Sequence, residues 1–182
     1  ENRDMLVAPM QKGEKPAERW RIGTEHEKFV YRTADRRAPS YTEQGGIRDL
    51  LMAMTEFGWE PVLEGGNVIA MSGPDGAISL EPAGQLELSG APLENLHQTC
   101  AETGRHLAQV KTIGDKLGLG YLGLGLWPDK TREELPVMPK GRYDIMLRHM
   151  PRVGSMGLDM MLRTCTIQVN LDYSSEADMV KK

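Results

Sequence analysis

These 182 residues predict an α+β fold built on an antiparallel sheet with helices packed behind it, on three observations. Strand-like and helix-like runs are mixed, without the regular strand–helix alternation of parallel folds. Gly-Pro-Asp-Gly at 73–76 lies between two apolar runs, as in a tight hairpin. Over 160–173, Cys165, Ile167, Val169, Leu171 and Tyr173 alternate with Thr164, Thr166, Gln168, Asn170 and Asp172, which predicts a strand with one apolar and one polar face.

Taken in order, residues 1–19 are polar, carry Pro9 and Pro16, and predict a short helix or arm ahead of a domain over 20–182. Residues 20–31 read as the first strand and 32–45 as a polar connection. Ile47, Leu50, Leu51, Met54 and Phe57 recur at helical spacing over 46–57, and Gly58 is placed to end that helix. A short strand over 59–64 and a hairpin of 68–72 with 77–81 follow. Leu86 and Leu88 then alternate with Gln85, Glu87 and Ser89. The longest helix is predicted over 93–117, with Leu93, Leu96, Cys100, Leu107, Val110, Ile113 and Leu117 as its apolar stripe. A strand over 119–127, a Pro-rich connection over 128–141 and a helix over 142–149, ended by Pro151, lead to the last strand.

Composition narrows the function classes. Lys and Arg number 22 against 26 Asp and Glu, a net charge of −4, so the basic excess of a nucleic-acid binder is missing. No window approaches the run of about 18 apolar residues that suggests a membrane span, and the first residues lack the apolar core of a secretory signal. Cys100 and Cys165 are too far apart for a C-x-x-C pair and are expected as packed thiols without a bridge. A cytoplasmic domain is the expectation. Because the chain begins at Glu1 and Ser175 with Asp178 reads as a helix start just before Lys182, it is also expected to be cut from a longer sequence.

Gly118-Leu-Gly-Tyr-Leu-Gly123 satisfies the dinucleotide-binding string but follows a helix and precedes a strand, the reverse of what a pyrophosphate at a helix N-terminus needs. It reads as a helix cap and a glycine-spaced strand. Glu25-His26-Glu27 is more informative, because residues two apart on a strand share a face at about 6–7 Å. In water the two carboxylates repel by only about 0.6 kcal/mol, and the pattern can be a solvated strand face; in a partly buried cleft the cost rises to about 2.5 kcal/mol and calls for a cation. Glu81 and Glu87 sit on the side opposite Leu80, Leu86 and Leu88, either as the outer face of an amphipathic sheet or as part of the same acidic site. Oxygen ligands without cysteine pairs suit Mg²⁺ or Mn²⁺ rather than zinc. The uncharged row of Thr164, Thr166, Gln168, Asn170 fits a cleft for a polar small molecule. Arg163 before it either grips a carboxylate or makes a surface ion pair.

Five strings now carry a resemblance: Gly-Thr-Glu-His-Glu-Lys-Phe (23–29), Ser-Leu-Glu-Pro-Ala-Gly-Gln-Leu-Glu-Leu-Ser-Gly (79–90), Leu-His-Gln-Thr-Cys-Ala-Glu (96–102), Met-Pro-Lys-Gly-Arg-Tyr-Asp-Ile-Met (138–146) and Gly-Leu-Asp-Met-Met-Leu-Arg-Thr-Cys-Thr-Ile-Gln-Val-Asn-Leu-Asp-Tyr (157–173). Together they resemble the glutamate–cysteine ligases of the plant and alphaproteobacterial type. The resemblance implies a glutamine-synthetase-like carboxylate–amine ligase fold, a curved antiparallel sheet forming a funnel, of which residues 20–182 are the N-terminal portion of the catalytic domain. It also implies ATP-dependent phosphorylation of the glutamate γ-carboxylate and attack by the cysteine amine, the first step of glutathione synthesis. Bringing a phosphoryl group to a carboxylate gathers anions, which cations must offset.

Residue by residue, the resemblance makes Glu27, Glu81 and Glu87 ligands of one Mg²⁺ and Glu25 a ligand of a second, nucleotide-side metal. Gln168 stands where relatives in the wider superfamily carry a metal-binding His, so a direct phosphate or water-mediated role is equally open. Arg163 is expected at the carboxylate of the glutamate substrate, with Thr164, Thr166 and Asn170 lining the pocket and Ser89, Arg142 and Tyr143 as further candidates. Glutamate, cysteine and ATP are the implied partners, with no nucleic acid and no membrane. The other readings are a sibling ligase with a different amine acceptor, or an isolated non-catalytic fragment acting only as a partial glutamate- and metal-binding module; self-association of the truncated chain through open sheet edges is a further expectation.

Overall fold

A computed structural model of the chain describes residues 3–74 and 76–182. Its seven strands form one open antiparallel sheet: β1 (Ile22–Arg32), β2 (Glu60–Glu64), β3 (Asn67–Gly73), β4 (Gly76–Leu80), β5 (Leu86–Gly90), β6 (Leu119–Leu122) and β7 (Ile167–Leu171). The order is β2-β3-β4-β5-β1-β6, with β7 also paired to β1. Six helices accompany it: α1 (Arg3–Lys12), α2 (Ile47–Ala53), α3 (Leu96–Leu117), α4 (Gly141–Val153), α5 (Gly157–Arg163) and α6 (Glu176–Lys181). The α+β expectation is met, and the sheet does not close into a barrel.

The apolar spacing of 46–57 becomes α2 and a following 3-10 turn, which bury Ile47, Leu50, Leu51 and Met54. Met52 on the same helix faces solvent instead. Gly58 ends the run at φ +84°, a left-handed position that glycine enters without a Cβ penalty. The hairpin of β3 and β4 forms around the predicted turn, of which Asp75 lies outside the described residues. Gly76 is required there: its φ is +119°, and a Cβ would lie 2.3 Å from the Ser89 carbonyl oxygen. Cross-strand partners Met71 and Ile78, and Ile78 and Leu88, share one face and are buried beneath α2 and α3. On the other face, Phe29 meets Trp127 with ring centroids 4.6 Å apart.

Four boundaries differ from the sequence reading. The helix predicted from 93 starts at Leu96, because the Asn95 side chain caps the amides of His97 and Gln98 while Leu93 pairs through its backbone with Ile22. Val110 and Ile113 of the predicted stripe are buried, but toward the N-terminus the inner face is Glu102 and His106, while the stripe's Leu96, Cys100 and Leu107 face solvent. Pro151 sits inside α4 rather than ending it; in the last turn it forfeits one hydrogen bond without breaking the helix. The last strand begins only at Ile167, because the straight-chain run Leu158-Asp159-Met160-Met161-Leu162 folds as α5. The strand predicted over 119–127 is likewise only four residues long.

Candidate functional site

Strand alternation builds the site. Glu25 and Glu27 project from one face of β1, and directly opposed residues of antiparallel neighbours share that face. In β5, Ser89 stands opposite Glu25 and Glu87 opposite Glu27; in β7, Gln168 stands opposite Glu25 and Asn170 opposite Gly23. Glu81 follows β4 in a tight turn in which its amide donates to the Gln85 carbonyl at 2.9 Å. The four predicted glutamates are therefore gathered by three different stretches of chain onto one side of the sheet. Glu27 and Glu81 line one cleft of about 120 Å³ together with Gln85, Met146, Met161, Thr164 and Thr166.

Each carboxylate has a polar neighbour. The Thr166 amide donates to Glu27 at 2.9 Å and its hydroxyl at 3.3 Å. The Asn170 side-chain amide donates to Glu25 at 3.0 Å, and the Ser89 hydroxyl donates to Glu87. Arg142 reaches Glu81 at 3.4 Å. Burial raises the Glu81 carboxyl to about 7, and the adjacent Glu87 adds to the shift against Arg142 and Lys140. Glu27 is raised by burial and by Glu87 and Glu25, partly offset by the bonds from Thr166. The carboxylates thus crowd one another at a cost. In donor type and in this crowding they fit a hard cation; in convergence they do not, for no group of three or more His, Cys, Asp or Glu is arranged to hold an ion among the described residues.

The substrate candidates divide. Thr166 and Asn170 stand among the acids, and Gln168 donates to Asn170 at 3.2 Å. Thr164 lines the cleft, although its hydroxyl is turned to the Met160 carbonyl. Arg163 is not among the cleft's lining residues: it ends α5 and its guanidinium is paired with Asp159 at 2.9 Å. Tyr143 is buried, its hydroxyl donates to the Leu80 carbonyl, and the Arg142 guanidinium lies over its ring. Two residues escaped the sequence reading. Lys140 is buried with its ammonium on the Leu80 carbonyl at 2.8 Å, close enough to Glu81 and Glu87 to interact with both. Gln85 donates to the Thr164 carbonyl at 3.0 Å and accepts from the Ala83 amide at 2.8 Å, tying the Glu81 turn to the end of α5. Lys140 gave a signal, a cation beside Pro139 in a quoted motif; Gln85 gave none beyond its place in the alternation.

The reverse face of β1 carries Thr24, His26 and Lys28 toward α3. His26 does point away from the acids, as its alternation requires. Burial lowers Lys28 to about 8 and His106 to about 3, the latter also by Lys28 and His26. Glu102 accepts from the Ala91 amide at 2.8 Å and so fastens the end of β5 to α3. Of the two cysteines, both free, Cys165 is packed as expected, whereas Cys100 is exposed.

An open antiparallel sheet that gathers acids from three stretches of chain on one face, with helices behind, defines an α+β protein with an acidic sheet site. The model of glutamate-cysteine ligase family 2 (GCS2) matches residues 21–182, and the chain belongs to that family. It is 56% identical over 181 residues to the chloroplastic glutamate–cysteine ligase of Brassica juncea, covering 99% of this chain and 35% of that protein. Against glutamate–cysteine ligase A, chloroplastic, of Oryza sativa subsp. japonica it is 55% identical over 178 residues, 97% of this chain and 36% of that one. The Arabidopsis thaliana chloroplastic enzyme is 54% identical over 181 residues, 99% and 34% of the two chains. The chain thus spans about a third of the length of the curated relatives it matches. The cytoplasmic expectation is corrected here: these relatives are named chloroplastic and point to the plastid. Composition could not separate the two, since both compartments are aqueous and the same soluble surface serves in either. No helix among the described residues is long and apolar enough to cross a membrane.

Proposed function

We propose that this chain supplies one wall of the active site of an ATP-dependent glutamate–cysteine ligase, which joins the glutamate γ-carboxylate to the cysteine amine through an acyl phosphate. The carrying observation is the cross-strand pair Glu27 and Glu87, with Glu81 beside them raised to about 7. Such crowding of acids is costly for a protein and useful for holding Mg²⁺ or Mn²⁺. Glu27, Glu81 and Glu87, which do not converge on one point in this structure, would have to draw together to hold one ion, and Glu25 would hold a second with Gln168 at its flank. A bound cation would offset the negative charge of ATP and the γ-carboxylate where phosphoryl transfer brings them together. Thr166 and Asn170 orient the carboxylates of Glu27 and Glu25 by donating to them, which fixes where acceptor oxygens face. Arg142, already at Glu81, is free on its exposed side to meet an anionic substrate, and Thr164 lines the neighbouring cleft. The pairing of Arg163 with Asp159 favours a supporting role over substrate contact. Tyr143 acts as the packed floor beneath Glu81.

The test is phosphate release by the full-length polypeptide with ATP, Mg²⁺, glutamate and cysteine. Glu27→Gln with Glu87→Gln is expected to reduce it at least about a hundredfold, the scale of losing a phosphoryl-transfer cation site. Activity that survives the double change overturns the metal assignment. Replacing cysteine by 2-aminobutyrate in the same assay separates this ligase from one with another amine acceptor.

A further inference from the structure

On the helix side of the sheet an apolar groove runs between α3 and β7. Leu96 and Leu107 recur along α3 at the spacing of a buried stripe, yet they are 72% and 46% exposed. Ile167 and Val169, which share the face of His26 and Thr24, are 70% and 54% exposed. Leu107, Leu124 and Ile167 line a cavity of about 430 Å³ floored by Lys28 and Tyr121. Its polar groups are also incomplete. Among the described residues the buried Tyr121 hydroxyl has no hydrogen-bond partner, and the buried Lys28 ammonium, bonded to the His26 carbonyl at 3.1 Å, has no ion pair. Among the described residues β7 is paired only to β1, so its outer edge presents amides and carbonyls unmatched by them. Gly104, Gly123 and Gly125 have nothing within 4 Å of where a Cβ would stand, which leaves room for a backbone to approach.

We propose that this groove and the outer edge of β7 seat a polypeptide segment of the same protein, drawn from the part of the full-length sequence outside the stretch matched here. The relatives are about three times as long as this chain, which accounts for 34–36% of them, and so much chain needs an apolar surface to fold against. The segment carries apolar side chains for Leu107 and Ile167, backbone groups for the edge of β7, and an acceptor for Lys28. This assignment stands on packing and does not depend on the metal reading, although Glu27 and Thr166 also line the cavity.

Hydrogen–deuterium exchange of the full-length polypeptide, compared with the 182-residue chain, tests it. Amides of 167–171 that point away from β1 are expected to exchange about a hundredfold more slowly in the full-length protein, at every protein concentration. Equal exchange in the two overturns the proposal. Protection that grows with concentration, and is matched by dimer on size exclusion, also overturns it by making a second copy the occupant.

Discussion

At one end of the sheet, β3, β4 and β5 bury Met71, Ile78, Leu80 and Leu88 beneath α2 and α3; at the other, β7 leaves Ile167, Val169 and Leu171 in solvent. Both ends alternate apolar and polar residues, and both direct their apolar side toward the same layer. The difference teaches that alternation reports which face is meant for a core and is silent on which stretch of chain supplies the cover. Between the two ends lies a seam of another kind, where Lys28, Glu102 and His106 are buried but polar.

The sharpest way to break this comparison is to truncate at both ends and measure urea unfolding. Leu50→Ala, under the sealed end, is expected to cost about 2–5 kcal/mol, the range for a buried leucine that leaves a cavity. The seam predicts a pH effect. His106, facing Lys28 and His26 from β1 with Glu102 and Arg105 on its own helix, titrates near 3 when folded and near 6.5 when unfolded. The folded state therefore binds fewer protons in that window. This contribution is complete above about pH 6.5 and declines as pH falls, by about 2 kcal/mol between pH 7 and 5. His106→Leu should flatten the dependence of the urea midpoint on pH relative to the parent; parallel curves would show that His106 is not the group responsible. Gly104→Ala, on the open side of α3, is expected to stabilise the 182-residue chain by up to about 1 kcal/mol, since the added methyl meets nothing and the helix gains. The smallest effect belongs to the open end: Ile167→Ala should stay within about 0.5 kcal/mol. A cost like that of Leu50→Ala would erase the distinction between the two ends.

Local chemistry that decides its own outcome was legible. The spacing of Ile47, Leu50, Leu51 and Met54, the turn around Gly76, and the shared face of Glu25 and Glu27 needed no knowledge of distant chain. The meeting of Glu27 with Glu87 was legible only as a common polar side, because register is set by which strands pair. What failed were features fixed by tertiary competition. The α3 stripe was misplaced in its N-terminal half, since Glu102 and His106 won the inner face there through contacts with β5 and β1, while Val110 and Ile113 are buried as read. Residues 160–163 were read as strand because helix propensity and strand alternation overlap over so short a run. The pairing of Arg163 with Asp159, four residues earlier, became available only once that run was helical.

The bond from the Thr166 amide to Glu27 spans 139 residues, and it has a consequence for how the chain is made. β1 emerges early from the ribosome but gains its β7 neighbour only after that interval, roughly ten to thirty seconds at ordinary rates of synthesis. Throughout that delay one edge of a central strand stays unclaimed and open to wrong pairing. Along it, Glu25, His26, Glu27 and Lys28 form a run of ionisable side chains, a poor template for another β-strand. The acids gathered for the site thus also guard the nascent strand until its proper partner arrives.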